Sequence, residues 1–241
     1  LRNGNLVSVT TIGEFIEKAP YAYQVINGVQ VEVACDFVLD GTTVSFSFPE
    51  GYDAALELVI DPELIGATLS GSTVTNYGHC ATYDFDENIY TGARSFGDGY
   101  PTEDGSFQTD FGGSQDIAIS KLNPDASTLI YATYLGGSSN DLPHSMVCNE
   151  DNELYVFGSS RSIDYPVADD AFNSTGPDGG ISEDIIITHL NITGTDIIGS
   201  TYVGGTGVDG INNLTSNYGD QYRGEIVVDS DGNCYISSCS A

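Results

Sequence analysis

The chain has 241 residues, of which 35 are acidic and 6 are basic, so its formal net charge is −29. A field of this sign repels the phosphate backbone of nucleic acids and argues against a nucleic-acid-binding protein. No apolar run reaches the length of a membrane-spanning helix, so membrane insertion is not expected. Such acidity is typical of a solvated surface in salty or divalent-rich water outside the cell, and the alternative is a set of carboxylates that collect Ca²⁺.

Residues 1–62 contain two hairpin signals. Asn27-Gly28 separates two runs of alternating apolar residues, and Asp40-Gly41 separates the next two. An Asn-Gly or Asp-Gly pair between such runs favours a tight turn, because both residues tolerate a positive φ. The alternation also predicts strands that are buried on one face. We therefore expect residues 1–62 to form a small antiparallel, sandwich-like β domain, the C-terminal part of a larger one.

Residues 63–241 contain a repeat. The segment Asp116–Asn123 (DIAISKLN) returns 68 residues later as Asp184–Asn191 (DIIITHLN), and Thr133–Ser138 (TYLGGS) returns as Thr201–Thr206 (TYVGGT). A fixed period of this length indicates one supersecondary unit that recurs. Four short strands per unit favour a β-propeller blade over a parallel β-helix, whose coils are shorter. The repeats divide at about 63–127, 128–195 and an incomplete 196–241.

Several of these segments are similar to a known repeat. Thr133–Ser138, Asp164–Pro166 and Val228–Tyr235 resemble the repeat of the SBBP family, named for a seven-bladed β-propeller. Pro20–Gln24 and Leu58–Pro62 resemble the uncharacterised β domain that often precedes those repeats. The resemblance implies an all-β fold, with a small antiparallel β domain followed by a partial propeller of two full blades and part of a third.

The same resemblance has implications for biology. Such proteins are typically large bacterial cell-surface or secreted proteins, many from Bacteroidota, and they often end in a gliding-motility-associated or type IX secretion sorting domain. The family offers no established catalytic residues to transfer to this chain.

One position of every repeat is an acidic turn. Its alternating Asp and Asn residues resemble the start of a Ca²⁺ loop, in which alternate oxygens converge on one ion. A complete loop also needs a later bidentate carboxylate, and none stands at a fixed offset in all three repeats. Because Asp, Asn and Gly are also the residues that hairpin turns favour, we interpret these segments as turns, with Ca²⁺ as the alternative. The candidate ligands are Asp84, Asp86, Asn88, Asn149, Asp151, Glu153, Asp229, Asp231 and Asn233.

Two histidines share another repeat position. His79 and His144 are equivalent, and Gly224 takes that place in the third repeat. If their strand is the innermost of a blade, both side chains approach the central channel, where propellers commonly bind ligands. Since one equivalent is lost, local packing within the blade is the simpler interpretation.

Other side chains are expected at the surface. His189 takes the repeat position that Lys121 has in the first repeat, and His189 is predicted to face solvent. Tyr100, Tyr165 and the insertion residues Tyr218 and Tyr222 are predicted to be exposed as well, and an exposed aromatic ring suits stacking on glycans.

The function expected from these observations is non-enzymatic: an extracellular structural or adhesive module of a large bacterial surface or secreted protein. Its partners would be other blades or domains of the same protein, surface glycans or proteins. The alternative is a carbohydrate-binding or polysaccharide-cleaving propeller, with His79, His144 and nearby carboxylates lining a channel. A third hypothesis is a spacer. An enzyme predicts histidines and acids that converge in one cleft, whereas an adhesin predicts that they are dispersed.

Overall fold

The computed structural model describes residues 1–10, 13–61, 68–212, 221–222 and 224–240. Within these ranges the protein is all-β, with short antiparallel strands and one 3₁₀ turn at Asp178–Gly180. The chain divides into two compact units, Leu1–Ile65 and Gly66–Ala241. Across the described ranges, no helix has both the length and the apolar character needed to cross a membrane.

The described residues of the first unit form three small antiparallel sheets. The strands are β1 (Leu6–Thr10), β2 (Gly13–Glu17), β3 (Tyr21–Ile26), β4 (Val29–Val33), β5 (Asp36–Asp40), β6 (Thr43–Ser47) and β7 (Val59–Asp61). β1 pairs with β2, β5 pairs with β6, and β3 lies between β4 and β7.

Both predicted hairpins are confirmed. The β3–β4 register pairs Ile26 with Val29 and leaves Asn27 and Gly28 as the two turn residues, with φ values of 53° and 80°. Two consecutive positive φ values are those of the type I′ turn, whose twist matches that of the flanking strands. The β5–β6 hairpin closes at Asp40 and Thr43, with Gly41 at φ 60°.

The prediction that these strands are buried on one face is wrong for β4 and β6. Val29 is 62% exposed and Phe46 is 44% exposed, and only Val33 of β4 is buried. Alternation supplies an apolar stripe, but a second layer must cover it before it is buried. The described residues of this unit supply no such layer over β4 and β6.

The described residues of the second unit form two four-stranded sheets and a two-stranded hairpin. The first sheet has β8 (Asn76–Tyr83), β9 (Ile89–Ser95), β10 (Asp116–Leu122) and β11 (Leu129–Leu135); the second has β12 (Asp141–Cys148), β13 (Leu154–Ser160), β14 (Asp184–Leu190) and β15 (Ile197–Val203). The hairpin consists of β16 (Glu225–Val228) and β17 (Cys234–Ser237). Each four-stranded sheet is an antiparallel meander in chain order, as in a propeller blade.

The sheets meet along their first strands. β12 lies beside both β8 and β16, so the first strands of the three repeats form a common inner edge. The expected fold is therefore confirmed: a small β domain is followed by two complete blade-like sheets and the first hairpin of a third.

The sequence repeat and the sheet are offset by one strand. β11 falls in the second sequence repeat, yet it pairs with β10 as the last strand of the first sheet, with Ile117 opposite Leu135. β15 likewise pairs with β14 of the sheet before it. Each blade is thus completed by the first segment of the following sequence repeat.

The main core lies between the two four-stranded sheets. Tyr90 and Ile119 of the first sheet and Val156 and Ile186 of the second are fully buried in one cluster. At Gly92 in β9 an added Cβ would lie 2.6 Å from Cys80 Sγ and 3.0 Å from Met146. A side chain there would displace Cys80 of the neighbouring strand β8 and Met146 of the second sheet, so glycine allows this close packing.

Candidate functional site

The inner strands bring the two equivalent histidines to one aromatic ring. The ring centroid of His79 on β8 lies 5.8 Å from that of Tyr222, and the ring of His144 on β12 lies 6.0 Å from it. The guanidinium of Arg94 lies 5.5 Å from the centroid of the same ring. We call His79, His144, Tyr222 and Arg94 the inner-edge cluster.

Burial governs the charge of both histidines. The imidazole of His144 packs edge-on against Phe157, and its Nε2 lies 3.1 Å from Ser159 Oγ. Burial, and to a smaller extent the nearby His79, lower the pKa of His144 to about 4. Burial and then Arg94 lower the pKa of His79 as well. Both rings are therefore neutral at pH 7 and act as hydrogen-bonding groups.

An acidic residue stands near this cluster. Ser145 Oγ on β12 donates to Glu225 Oε2 on β16 at 2.9 Å, which joins the second sheet to the third hairpin. Burial first, and then the charge of Glu225, raise the pKa of Cys80 to about 12, so this thiol is not a nucleophile at neutral pH. The cluster offers neutral donors, an aromatic face and one cation, which suits binding of a polar ligand. The role of His79 and His144 in a ligand channel stays a prediction.

Sequence reasoning missed Arg94 and Glu225, because neither follows a repeat pattern. It also predicted exposure for four tyrosines. Tyr222 is half-buried in the inner-edge cluster, and Tyr218 lies outside the described residues. The prediction is wrong for Tyr100 and Tyr165, which are 5% and 3% exposed.

A shared contact explains the burial of those two tyrosines. The hydroxyl of Tyr100 lies 2.7 Å from Ser120 Oγ, and that of Tyr165 lies 2.9 Å from Thr188 Oγ1. These partners occupy the same place on β10 and β14, so the ring folds over its own sheet. A satisfied hydroxyl allows a tyrosine to be buried without loss of hydrogen bonding.

The first acidic turn is built around Asp84. Asp84 Oδ1 accepts hydrogen bonds from the backbone N–H of Asp86 at 3.1 Å and of Asn88 at 2.8 Å. Asp84 Oδ2 forms an ion pair with Lys121 Nζ at 2.9 Å, and both side chains are almost fully buried. Burial opposes the charge, but the hydrogen bonds from Asn88 and Lys121 prevail and lower the pKa of Asp84.

The other two turns repeat this backbone geometry. Asn149 Oδ1 accepts from Asp151 N at 3.1 Å and from Glu153 N at 2.9 Å. Asp229 Oδ1 accepts from Asp231 N at 3.0 Å and from Asn233 N at 2.9 Å. In each turn the first side-chain oxygen is bonded by the turn itself, as in an Asx turn.

The first two turns also contact each other. Asn152 Oδ1 accepts from Phe85 N at 2.8 Å, and Asn152 Nδ2 donates to Asp86 Oδ2 at 2.8 Å. Across the described residues, no three His, Cys, Asp or Glu side chains are grouped so that they could hold a metal. The hydrogen bonds of the turns account for their residue types, and calcium at these turns stays a prediction.

The prediction that His189 faces solvent is wrong, and the equivalent Lys121 is buried as well. Lys121 is 4% exposed and pairs with Asp84, and its Nζ lies 4.9 Å from the centroid of the Tyr90 ring. His189 stacks on Tyr155 with centroids 3.9 Å apart. Both side chains lie over the turn of their own sheet, because antiparallel pairing places the end of the third strand beside the start of the second.

A groove of 730 Å³ lies on the first sheet. Its floor includes Ala81 of β8, Thr91 and Ala93 of β9, and Ser120 and Leu122 of β10. This is the face of the first sheet that points away from the second, because Tyr90 and Gly92 point the other way into the shared core.

Comparison with protein families gives a match over the first part of the chain. Residues 1–63 match a family described as a domain of unknown function, DUF7948. The matched segment is the one in which the sequence predicted an uncharacterised β domain. No curated protein matches the chain.

Proposed function

We propose that this chain is a non-enzymatic structural or adhesive module of a large bacterial cell-surface or secreted protein, and that its second unit supplies propeller blades of the SBBP type. The resemblance of the repeats carries the bacterial surface assignment, including the link to Bacteroidota, gliding motility and type IX secretion. The blade interfaces carry the structural part of the proposal.

The observation on which the proposal rests is that the same positions form successive interfaces. The first sheet contacts the second through Tyr90, Ile117, Ile119 and Leu135. The second sheet contacts the β16–β17 hairpin through the equivalent residues Tyr155, Ile185, Ile187 and Val203. A surface that is reused at each junction is a feature of modules that stack on copies of themselves.

The groove on the first sheet fits this scheme. Its floor residues Ala81, Thr91 and Leu122 correspond to Met146, Val156 and Leu190, which pack against the first sheet. The groove therefore presents the surface on which another blade of the same repeat would pack. We propose that a further blade of the parent protein covers it.

A matched pair of variants tests this structural role. Val156→Arg places a charge in the buried junction and is expected to destabilise the chain by more than about 4 kcal/mol in urea unfolding. Thr91→Arg, at the equivalent groove position, is expected to change the stability of this chain by less than about 1 kcal/mol. In a chain extended by further repeats, Thr91→Arg is expected to be strongly destabilising. Equal effects of Thr91→Arg in both chains would contradict the proposal.

The inner-edge cluster supports the second candidate, a carbohydrate-binding or polysaccharide-cleaving propeller. Its aromatic ring, neutral imidazoles and guanidinium are groups that bind sugars. Incubation of the chain with immobilised polysaccharides distinguishes binding from cleavage. Retention without release of reducing ends supports an adhesin, and release of reducing ends that His144→Gln abolishes would establish the enzyme instead.

A further inference from the structure

Arg94 differs from the other cations that lie within the second unit. Lys121 pairs with Asp84, and Arg161 pairs with Glu183. Among the described residues Arg94 forms no ion pair, although the chain has 35 acidic residues for 6 basic ones. In so acidic a protein, a guanidinium without a carboxylate partner leaves a positive charge available to another molecule.

Three aromatic rings flank the guanidinium of Arg94. Its Cζ lies 5.6 Å from the ring centroid of Tyr77, 5.1 Å from that of Phe96 and 5.5 Å from that of Tyr222. Tyr77 stands directly opposite Arg94 in the β8–β9 register, so the sheet itself positions this ring beside the cation. Cation–π contacts of this kind stabilise the positive charge. The rings therefore hold Arg94 charged and in place without an acid.

An N–H group of Arg94 is left without an acceptor. The Nε atom is buried and, among the described residues, has no hydrogen-bond partner. An aromatic face attracts the charge of a guanidinium, but its N–H donors bind a carboxylate most strongly through two parallel hydrogen bonds. The side chain as a whole is only partly buried, so solvent reaches it. Arg94 thus combines an unpaired charge with an unused donor, which are the properties that a bound carboxylate requires.

The inner-edge cluster contains a second unsatisfied group. His144 is 8% exposed, and its Nδ1 is buried and has no hydrogen-bond partner in the part of the chain that the structure describes. The His144 ring lies 6.0 Å from the Tyr222 ring, which Arg94 also contacts. Buried polar groups of folded proteins are almost always hydrogen-bonded. Two unsatisfied groups beside one aromatic ring therefore indicate that a polar molecule completes the cluster.

The charge of the chain limits the kind of molecule that fits. Arg94 supplies one positive charge, which a single carboxylate neutralises, whereas the net charge of −29 repels every further negative charge on a ligand. A doubly charged phosphate or a polyanion is therefore disfavoured relative to a molecule with one carboxylate. Aromatic rings and neutral imidazoles favour a molecule that also has hydroxyl groups and an apolar face, which is the chemistry of a sugar ring.

We propose that the inner-edge cluster binds an acidic sugar, a uronic acid unit of an otherwise neutral glycan, and that Arg94 recognises its carboxylate. The inference rests on the carbohydrate-binding candidate of the proposed function and adds the class of sugar. The guanidinium binds the carboxylate, the imidazoles of His79 and His144 bind hydroxyl groups, and the ring of Tyr222 contacts the apolar face of the sugar. Arg94 acts in binding and takes part in no bond-breaking step.

Two disaccharides that differ only in one carboxylate test the proposal. Cellobiouronic acid is cellobiose in which the terminal hydroxymethyl group is oxidised to a carboxylate. In isothermal titration calorimetry at pH 7, the wild-type chain is expected to bind cellobiouronic acid at least about 10-fold more tightly than cellobiose, because the added hydrogen bonds join two charged groups. In nuclear magnetic resonance spectra, cellobiouronic acid is expected to shift the Nε–H signal of Arg94, and cellobiose is expected to leave it in place.

A matched pair of variants assigns the effect to Arg94. Arg94→Gln is expected to bind cellobiouronic acid about 10-fold more weakly than wild type and to bind cellobiose as wild type does. Lys18→Gln removes the same charge from an exposed position of the first unit and is expected to leave both affinities unchanged. Far-UV circular dichroism establishes that Arg94→Gln is folded. If it is not folded, the two disaccharides and the Arg94 signal of the wild-type chain decide the question.

Four results would overturn the proposal. Equal affinities of the wild-type chain for the two disaccharides would remove recognition of the carboxylate and keep the carbohydrate-binding candidate. Binding of neither disaccharide would leave that candidate to the polysaccharide assay and the blade role to Val156→Arg and Thr91→Arg. A preference for the acid that is kept in Arg94→Gln would place the carboxylate elsewhere. Displacement of cellobiouronic acid by an equal concentration of acetate would show a general carboxylate site that does not recognise a sugar.

Discussion

The first and second acidic turns have the same backbone hydrogen bonds, but the acid that pairs with the neighbouring strand stands at a different position in each turn. In the first turn the acid is the leading residue, Asp84, and it pairs with Lys121 in a buried ion pair. In the second turn the leading residue is the neutral Asn149, and the acid is Glu153, which lies 2.9 Å from His189 Nε2. The paired acid lies four residues later in the second turn, and its partner has changed from a permanent cation to a histidine whose pKa is lowered by burial.

The comparison separates two roles of one residue position. The oxygen of the leading residue holds the backbone of the turn, and Asp and Asn perform this role equally well. The charge of the turn is a separate property that depends on what the third strand of the sheet presents beside it. Turn geometry is therefore common to all repeats, and electrostatic coupling is particular to each.

Replacing Lys121 and His189 should give the largest contrast in stability. Lys121→Met leaves Asp84 charged, buried and unpaired, and is expected to destabilise the chain by about 3 to 5 kcal/mol. His189→Met breaks a pair whose side chains are 16% and 26% exposed, and is expected to cost about 1 kcal/mol or less. Urea unfolding at pH 7 measures both.

A second substitution controls for the loss of lysine packing. Asp84→Asn in the Lys121→Met background recreates the neutral leading residue of the second turn and is expected to restore most of the lost stability. A double variant as unstable as Lys121→Met would show that the lysine acts through its packing on Tyr90 rather than through charge.

The inner-edge histidines should titrate differently in the two repeats. His144 has a pKa of about 4, whereas His79 is only half-buried. Below about pH 6.5 His144 binds a proton in the unfolded state but not in the folded state. Stability therefore falls as the pH decreases, by at most about 3 kcal/mol near pH 4. Nuclear magnetic resonance titration of the imidazoles, with His79→Gln for assignment, measures this directly. A His144 that becomes protonated near pH 6.5 would contradict its burial.

The tyrosines that follow the turns should differ by exposure. Tyr90 OH lies 3.3 Å from Asp84 Oδ2 in the core, whereas Tyr235 OH donates to Asp229 Oδ2 at 2.9 Å in an exposed turn. Tyr90→Phe is expected to cost about 1 to 2 kcal/mol, because it removes a buried bond to a charged group. Tyr235→Phe is expected to have little effect on stability, because water can replace the bond of an exposed hydroxyl. If thermal unfolding showed the same loss of stability for both variants, the exposed hydrogen bond of Tyr235 would stabilise the chain as much as the buried one of Tyr90.

The smallest expected effect is the pH response of the second turn. Burial lowers the pKa of His189 more than Glu153 raises it, so its folded pKa lies below the unfolded value. The stability that depends on neutral His189 is therefore present above about pH 6.5 and is lost as the pH falls below that value. Removing this part-exposed group in His189→Gln is expected to reduce the stability difference between pH 7.5 and pH 5 by less than about 1 kcal/mol. The variant is compared with wild type, because the raised pKa values of Asp116 and Asp141 make stability rise as the pH falls. A stability difference that equals that of wild type would mean that His189 keeps its normal pKa.

Much of the fold was predictable because its signals are local. Asn27 and Gly28 specify their hairpin through the positive φ that both residues tolerate, and the 68-residue return of Asp116–Asn123 predicts repeated sheets. The burial of Tyr100, Lys121 and His189 was not predictable, because each partner lies on another strand and is identified only by register. The boundaries of the sequence repeat also differ from those of the sheets, since the outer strand of each sheet comes from the next sequence repeat.

The sequence by itself determined the all-β class, the turn chemistry and the number of repeated units, because these follow from residue types and their spacing along the chain. Only the tertiary structure decided which charges meet, which histidines are buried and which aromatic rings flank Arg94. Those properties arise from the packing of one sheet on another, where side chains from distant segments come together in a medium that cannot screen them.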